Sequence, residues 1–215
     1  MCTMIRPEII TYIEKNILPL YDSFDRGHRR DHAQQVIERS AQLARGFEVN
    51  EEMVYVTAAY HDTGLKYGRE LHHSDSARII RADRELERWF TAEQISTIAD
   101  AAEDHRASAE QAPRTIYGRI VAEADRLIIP ELILRRTVQY SLANYPALDR
   151  EGHWRRSLEH LHEKYDEGGY LRVWIEESDN GEKLRELRKI ISNRPLLRTM
   201  FETIYAEECY KKEPM

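Results

Sequence analysis

Cysteine is nearly missing from this chain of 215 residues: Cys2 and Cys209 stand near opposite termini and are too few for a disulfide framework. A reducing cytoplasm is the simplest compartment for such a chain. Glycine and proline are scarce, at 9 and 7, and alternating β-branched runs are absent, so the sequence reads as helical nearly throughout. No apolar run approaches the roughly 20 residues that a membrane-spanning helix needs. The opening residues, MCTMIRPEII, lack the long apolar stretch of a secretory signal. Basic residues are outnumbered, 32 against 38 acidic ones, for a net charge of −6. That argues against a general nucleic-acid binder, which shows a basic field. It leaves room for a small anionic substrate, because a local arginine cluster can act inside an acidic protein.

Apolar residues, at 41%, and charged residues, at 33%, strike a soluble globular balance, and the length suits one sizeable core. The expected architecture is all-α: a single domain over 1–215, with a metal-binding core at 28–127 and a C-terminal helical extension at 128–215 packed on it. Pro7 starts a first helix that Pro19 stops at about residue 18. Further helices are expected at about 29–46, closed by Gly46, and from Asn50, which caps, to the turn HDTG. One starts near Ser74, and one runs from a Thr91/Gln94 capping box to about 105. Others cover about 115–128, 130–144, 149–166, 181–192 and 195–211. The segment YLRVWIE reads as a short strand or a buried helical turn. The region around it, 166–180, reads as a lid or as packing.

The dipeptide His61-Asp62 ends an otherwise apolar run, VYVTAAY. Burying an imidazole and a carboxylate together is costly unless something satisfies them, and a metal ion does so. His32 shares a helix face with Val36 and Leu43, and Asp125 follows Val121 by four residues, so both point where their apolar stripes point. Three helices can therefore bring His32, His61, Asp62 and Asp125 to one ion. Two imidazoles and two carboxylates suit Mn, Fe, Zn, Co or Ni, and Mg stays open. His105 continues the stripe Ile95, Ile98, Ala102. If it is joined by His72 or His73, six ligands hold two ions, with Asp62 as the bridge. A lone inward histidine is more often a hydrogen-bonded core residue than a ligand, and it is the combination that favours metal. His28, four residues before His32, is a weaker candidate. His153, His160 and His162 lie in a charged stretch that reads as solvated and receive no role.

The pattern H…HD…D over residues 28–127 resembles the signature of the HD superfamily of metal-dependent phosphohydrolases. HRRDHAQQV, AAYHDTG and RIVAEADRL are similar to its first, central and last motifs, and the stretch from AAEDHRAS to Leu127 resembles a bacterial subgroup of small HD proteins. The resemblance implies a helical bundle around a metal and hydrolysis of a phosphate ester or anhydride, often in a nucleotide. Leu65-Lys66 stands where the alarmone hydrolase branch carries Glu-Asp. LKYGRE does not match the Pro-rich turn of the deoxynucleoside triphosphate hydrolases. Leu65 also occupies the place of the acidic residue used by the 5′-nucleotidase branch.

Hydrolysis of this kind uses a metal-activated water, with protein cations neutralising the phosphoryl oxygens. Lys66, Arg106, Arg126 and His28 are the candidate phosphate-binding residues. Asp62, His105, Lys66 and Asp104 are the candidate catalytic ones. Two other readings remain: a di-iron HD-type oxygenase, kept open by His72, His73 and His105, and a non-catalytic domain that senses a nucleotide. The sequence does not set the oligomeric state.

Overall fold

The computed structural model describes residues 5–25, 27–108 and 111–210, and no strand occurs among them. The protein is all-helical. Contacts gather the chain into two compact units, one of Met1–Arg126 with Trp174–Ser178, the other of Leu127–Val173 with Asp179–Met215.

The first unit opens with α1 (Pro7–Tyr12), with Pro7 in the first turn, where its missing N–H costs nothing. Pro19 does not stop the rod. A π-helical turn, Ile13–Ile17, passes into a 3-10 turn, Leu18–Ser23, which holds Pro19 in its first turn, where a missing N–H is tolerated. The stripe Ile9, Ile13, Ile17, Tyr21 is buried along this rod.

α2 (Arg30–Ala44) buries His32, Val36, Ser40 and Ala44 at steps of four. α3 (Glu51–Tyr60) is capped by the Asn50 side chain, which accepts from the Glu52 and Met53 amides. Every residue from Val56 to Tyr60 is buried, which explains the lack of a polar face. α3 packs against α2, against α5 (Ala92–Glu103) and against α6 (Ile116–Asp125). The capping box of Thr91 and Gln94 forms as expected. α4 (His72–Ala82) packs on α5 and on the 3-10 turn Thr63–Tyr67.

The other unit holds α7 (Pro130–Asn144), α8 (Arg150–Tyr165), α9 (Asn180–Ser192) and α10 (Arg194–Tyr210). Residue 211, expected in the last helix, lies outside the described residues, as does Cys2. α8 corrects one reading. His162 is exposed and holds Asp166, but His153 is buried, with Nδ1 2.7 Å from the Ser141 hydroxyl. A stripe through His153, Ser157 and Leu161 runs between charged neighbours and is buried.

YLRVWIE is neither strand nor helix. Its latter part joins the first unit: Ile175 packs with Ala44, Val54 and Ile120, and the fully buried Glu123 accepts from the Trp174 amide at 2.8 Å and the Ser178 hydroxyl at 2.5 Å. No described helix is long and apolar enough to cross a membrane.

Candidate metal centre

The end of α3 explains why a histidine and an aspartate sit there. A helix leaves its last carbonyls without partners. Side chains fill them here: His61 Nδ1 lies 2.7 Å from the Ala58 carbonyl, the Tyr21 hydroxyl donates to Ala59 at 2.9 Å, and the Thr63 hydroxyl donates to Tyr60 at 2.8 Å. Tyr21 also accepts from the Asp62 amide at 3.2 Å. The dipeptide is thereby fixed from below.

The same device recurs twice. His105, just past α5, has Nδ1 2.5 Å from the Ala102 carbonyl, and His72, at the start of α4, has Nδ1 2.7 Å from the Arg69 carbonyl. In each case the ring bonds a carbonyl three residues back. With the Nδ1 proton donated there, Nε2 turns an unprotonated lone pair to the other side.

All three Nε2 atoms turn to Asp62. Its Oδ2 lies 3.3 Å from His61 Nε2 and 3.6 Å from His32 Nε2, and its Oδ1 lies 3.4 Å from His105 Nε2 and 3.6 Å from His72 Nε2. Asp125 Oδ1 lies 3.2 Å from His32 Nε2 and 4.0 Å from His61 Nε2. The two imidazole nitrogens of His32 and His61 are 3.3 Å apart. One carboxylate thus stands between two pairs of histidines. The set His32, His61, Asp62 and the set Asp62, His72, His105 each gather their ligand atoms within 4.8 Å.

Lone pairs and negative oxygens converging in a buried space require a cation. Without metal a proton takes that part. Burial alone would lower His32, but Asp125 and Asp62 outweigh it and raise its pKa to about 10. Burial alone would raise Asp62, but His61, His105 and His32 hold it well below the usual carboxylate range. Burial, with His105 adding to it, pushes His72 down to about 4, so that ring is neutral. The donor set fits a divalent metal. The side chains of Asp125 and His72 are 25% and 17% exposed against 4% for Asp62, so the centre opens to solvent past those two residues.

The structure brings together His32, His61, Asp62, His72, His105 and Asp125. Of the adjacent pair, His72 faces Asp62, while His73 stands behind it, its ring 5.5 Å from that of His72. The other candidates are engaged elsewhere. Asp104 accepts from the Arg114 amide at 2.7 Å and from its guanidinium at 3.0 Å, which ties it to the loop before α6. Arg106 donates to the Glu70 carbonyl at 3.0 Å. Arg126 is buried, donates to the Ala122 carbonyl and stacks 5.9 Å above the Trp174 ring. Lys66 is exposed beside the Tyr67 ring. His28 binds Asp25 at 2.9 Å, and its ring lies 5.7 Å from that of His32.

Sequence reasoning missed Tyr21, although it continues the stripe Ile13, Ile17. It also missed Glu123 and Arg69. Gly64 has a plain reason: a Cβ there would overlap the His72 carbonyl, so only glycine lets the turn after Asp62 lie against the start of α4. Its amide donates to the Ser76 hydroxyl at 2.9 Å.

No curated protein and no solved structure matches the chain. Residues 29–128 match the family model of the HD domain, and all six converging side chains fall inside that span. Residues 29–128 therefore carry an HD domain, a family whose members are mostly metal-dependent phosphohydrolases.

Proposed function

We propose that the protein is a metal-dependent phosphohydrolase acting on a small phosphorylated substrate, with nucleotides as the leading class. The observation that carries this reading is the Asp62 carboxylate, with His32 and His61 on one oxygen and His72 and His105 on the other. His32, His61, Asp62 and Asp125 would hold one divalent ion, and Asp62, His72 and His105 a second. Such ions supply Lewis acidity and lower the pKa of a coordinated water.

The chain's own residues do the rest. The carbonyls of Ala58, Arg69 and Ala102 hold three imidazoles in the tautomer that presents Nε2. The buried side lets little water in, and the substrate enters past Asp125 and His72. With His105 facing Asp62 and Asp104 bound to Arg114, neither is placed as the general acid. Lys66 is the exposed cation one turn past Asp62.

The test is phosphate release across a nucleotide and phosphomonoester panel, with metal content measured on the same samples. Wild type should carry about two ions per chain, as two-metal sites do, and turn over at least one substrate. Asp62→Ala should lose both properties. Equal turnover and metal content in the two proteins would end this reading.

The six-ligand set with a bridging carboxylate also favours a second reading, a di-iron HD-type oxygenase. Oxygen consumption by an anaerobically prepared, iron-loaded sample, with no phosphate release, would select it.

A further inference from the structure

Arg69 joins the two halves of the centre. Its backbone carbonyl orients His72, 2.7 Å from that ring's Nδ1. Its side chain runs the other way: Nη2 lies 3.1 Å from His28 Nε2 and 3.2 Å from His28 Nδ1, and the His28 ring rests edge-on against His32. His28 Nδ1 lies 2.9 Å from Asp25 Oδ1, to which it donates, which leaves Nε2 as the ring's acceptor beside the Arg69 guanidinium. Asp25 holds His28 and His28 holds the guanidinium. His28 is thereby a support rather than an anion ligand.

The guanidinium is held but not used up. Asp25 Oδ2 is 3.7 Å from Nη2, and Nε and Nη1 make no hydrogen bond among the described residues. The side chain is 57% exposed. Other cations near the turn differ. Arg78 is engaged by Asp75 and the Tyr67 ring, Arg106 by the Glu70 carbonyl, and Lys66, among the described residues, lies against the neighbouring Tyr67 ring. A planar guanidinium with spare donors, held on the His28 ring that packs against His32, matches a tetrahedral oxyanion.

We propose that Arg69, propped by His28 and Asp25, binds the phosphoryl group of the substrate at the four-ligand half of the centre. The proposal rests on the phosphohydrolase reading for its substrate, but it makes its own prediction about anion binding. Replacing the side chain leaves the carbonyl that orients His72 in place, so the variant separates anion binding from metal binding.

The experiment titrates inorganic phosphate into the metal-loaded full chain by calorimetry, with metal content measured for each sample. Arg69→Ala should weaken phosphate binding by about tenfold to a hundredfold, the usual effect of losing one charge-assisted contact, at unchanged metal content. Arg84→Ala, at an exposed position in the 3-10 turn Arg84–Arg88, controls for net charge and should leave binding as in wild type. If Arg69→Ala loses metal, Arg69→Gln is read by the same criterion. Loss of metal in both variants overturns the proposal, because Arg69 would then hold the centre rather than the anion. Equal phosphate affinity in wild type and variant overturns it as well, as does a wild type that binds no phosphate. The phosphohydrolase reading fails separately, by an absence of phosphate release across the substrate panel.

Discussion

The two halves of the candidate metal centre share Asp62 and little else. The half built on His32, His61 and Asp125 draws its ligands from α2, the end of α3 and the end of α6, which pack against one another. The half built on His72 and His105 draws its ligands from the first residue of α4 and from the turn past α5. One half is set by helix packing. The other is set by turns, and by the loop 68–71 that Arg106 and Arg69 hold. A site held by packing keeps its geometry when a loop moves, and a site held by a loop does not. The four-ligand half should therefore bind metal more tightly, and the three-ligand half should fill last and empty first.

The strongest way to break this comparison is to remove one ligand from each half. His61→Ala should empty the four-ligand half and abolish turnover, since that ring lies at the back of the centre and is fully buried. His105→Ala should leave about one ion per chain where a two-metal site holds about two. Metal content by mass spectrometry reads both. If His105→Ala lost both ions and His61→Ala lost one, the ranking of the halves would be reversed.

Gly64→Ala sharpens it with a smaller change. The added methyl meets the His72 carbonyl and the Ser76 amide, both backbone, so α4 has to shift. Overpacking of this kind costs about 1–3 kcal/mol. The shift falls on His72 rather than on His32 or Asp125. The variant should fold, with a lowered melting temperature, and lose the more weakly held ion selectively. Retention of both ions at wild-type affinity would show that the turn does not position His72.

Tyr21→Phe probes the other half. The hydroxyl partners both the Ala59 carbonyl and the Asp62 amide inside a buried site. Leaving them unsatisfied costs about 1–3 kcal/mol, and loss of an outer partner weakens metal affinity by about 10–100-fold. The loss should be larger for the tight site than for the weak one, measured by competition with a chelator.

The same contrast decides what was legible in the sequence. His32, His61, Asp62 and Asp125 stand out because charged residues on apolar helical stripes have few structural excuses. His105 was legible for the same reason. The choice between His72 and His73 was not, because α4 begins at His72, two residues before the expected Ser74, and Leu71 offers no side-chain cap to mark the start. Arg69 was invisible because a loop has no period. Asp104 and Arg106 looked suitable only because they flank His105; a neighbour along the chain points elsewhere, and their partners are Arg114 and Glu70. His153 was misread because charged residues surround it in sequence while its own stripe is buried.

The smallest expected effect lies at the far end of α3, away from both halves. Glu52, in the first turn of α3, accepts from the Arg6 amide at 2.9 Å and from its guanidinium at 2.8 Å. These bonds to Arg6 hold its carboxyl below the ordinary value, against the opposing effect of burial. A carboxylate with a lowered folded pKa adds stability above its unfolded pKa, about 4.3 for glutamate. That stability disappears as pH falls from there through the folded value. Arg6 is 44% exposed, so solvent screening limits the pair to about 1 kcal/mol. Denaturant unfolding of the metal-free protein should therefore show Glu52→Gln less stable than wild type near neutral pH. The gap should close as pH falls below about 4. Metal stoichiometry at neutral pH should be the same in both proteins, because the shared ligand Asp62 lies past the opposite end of α3. A variant that lost one ion selectively would show that the start of α3 acts on the centre, and the division into a packed half and a loop-held half would have to be redrawn.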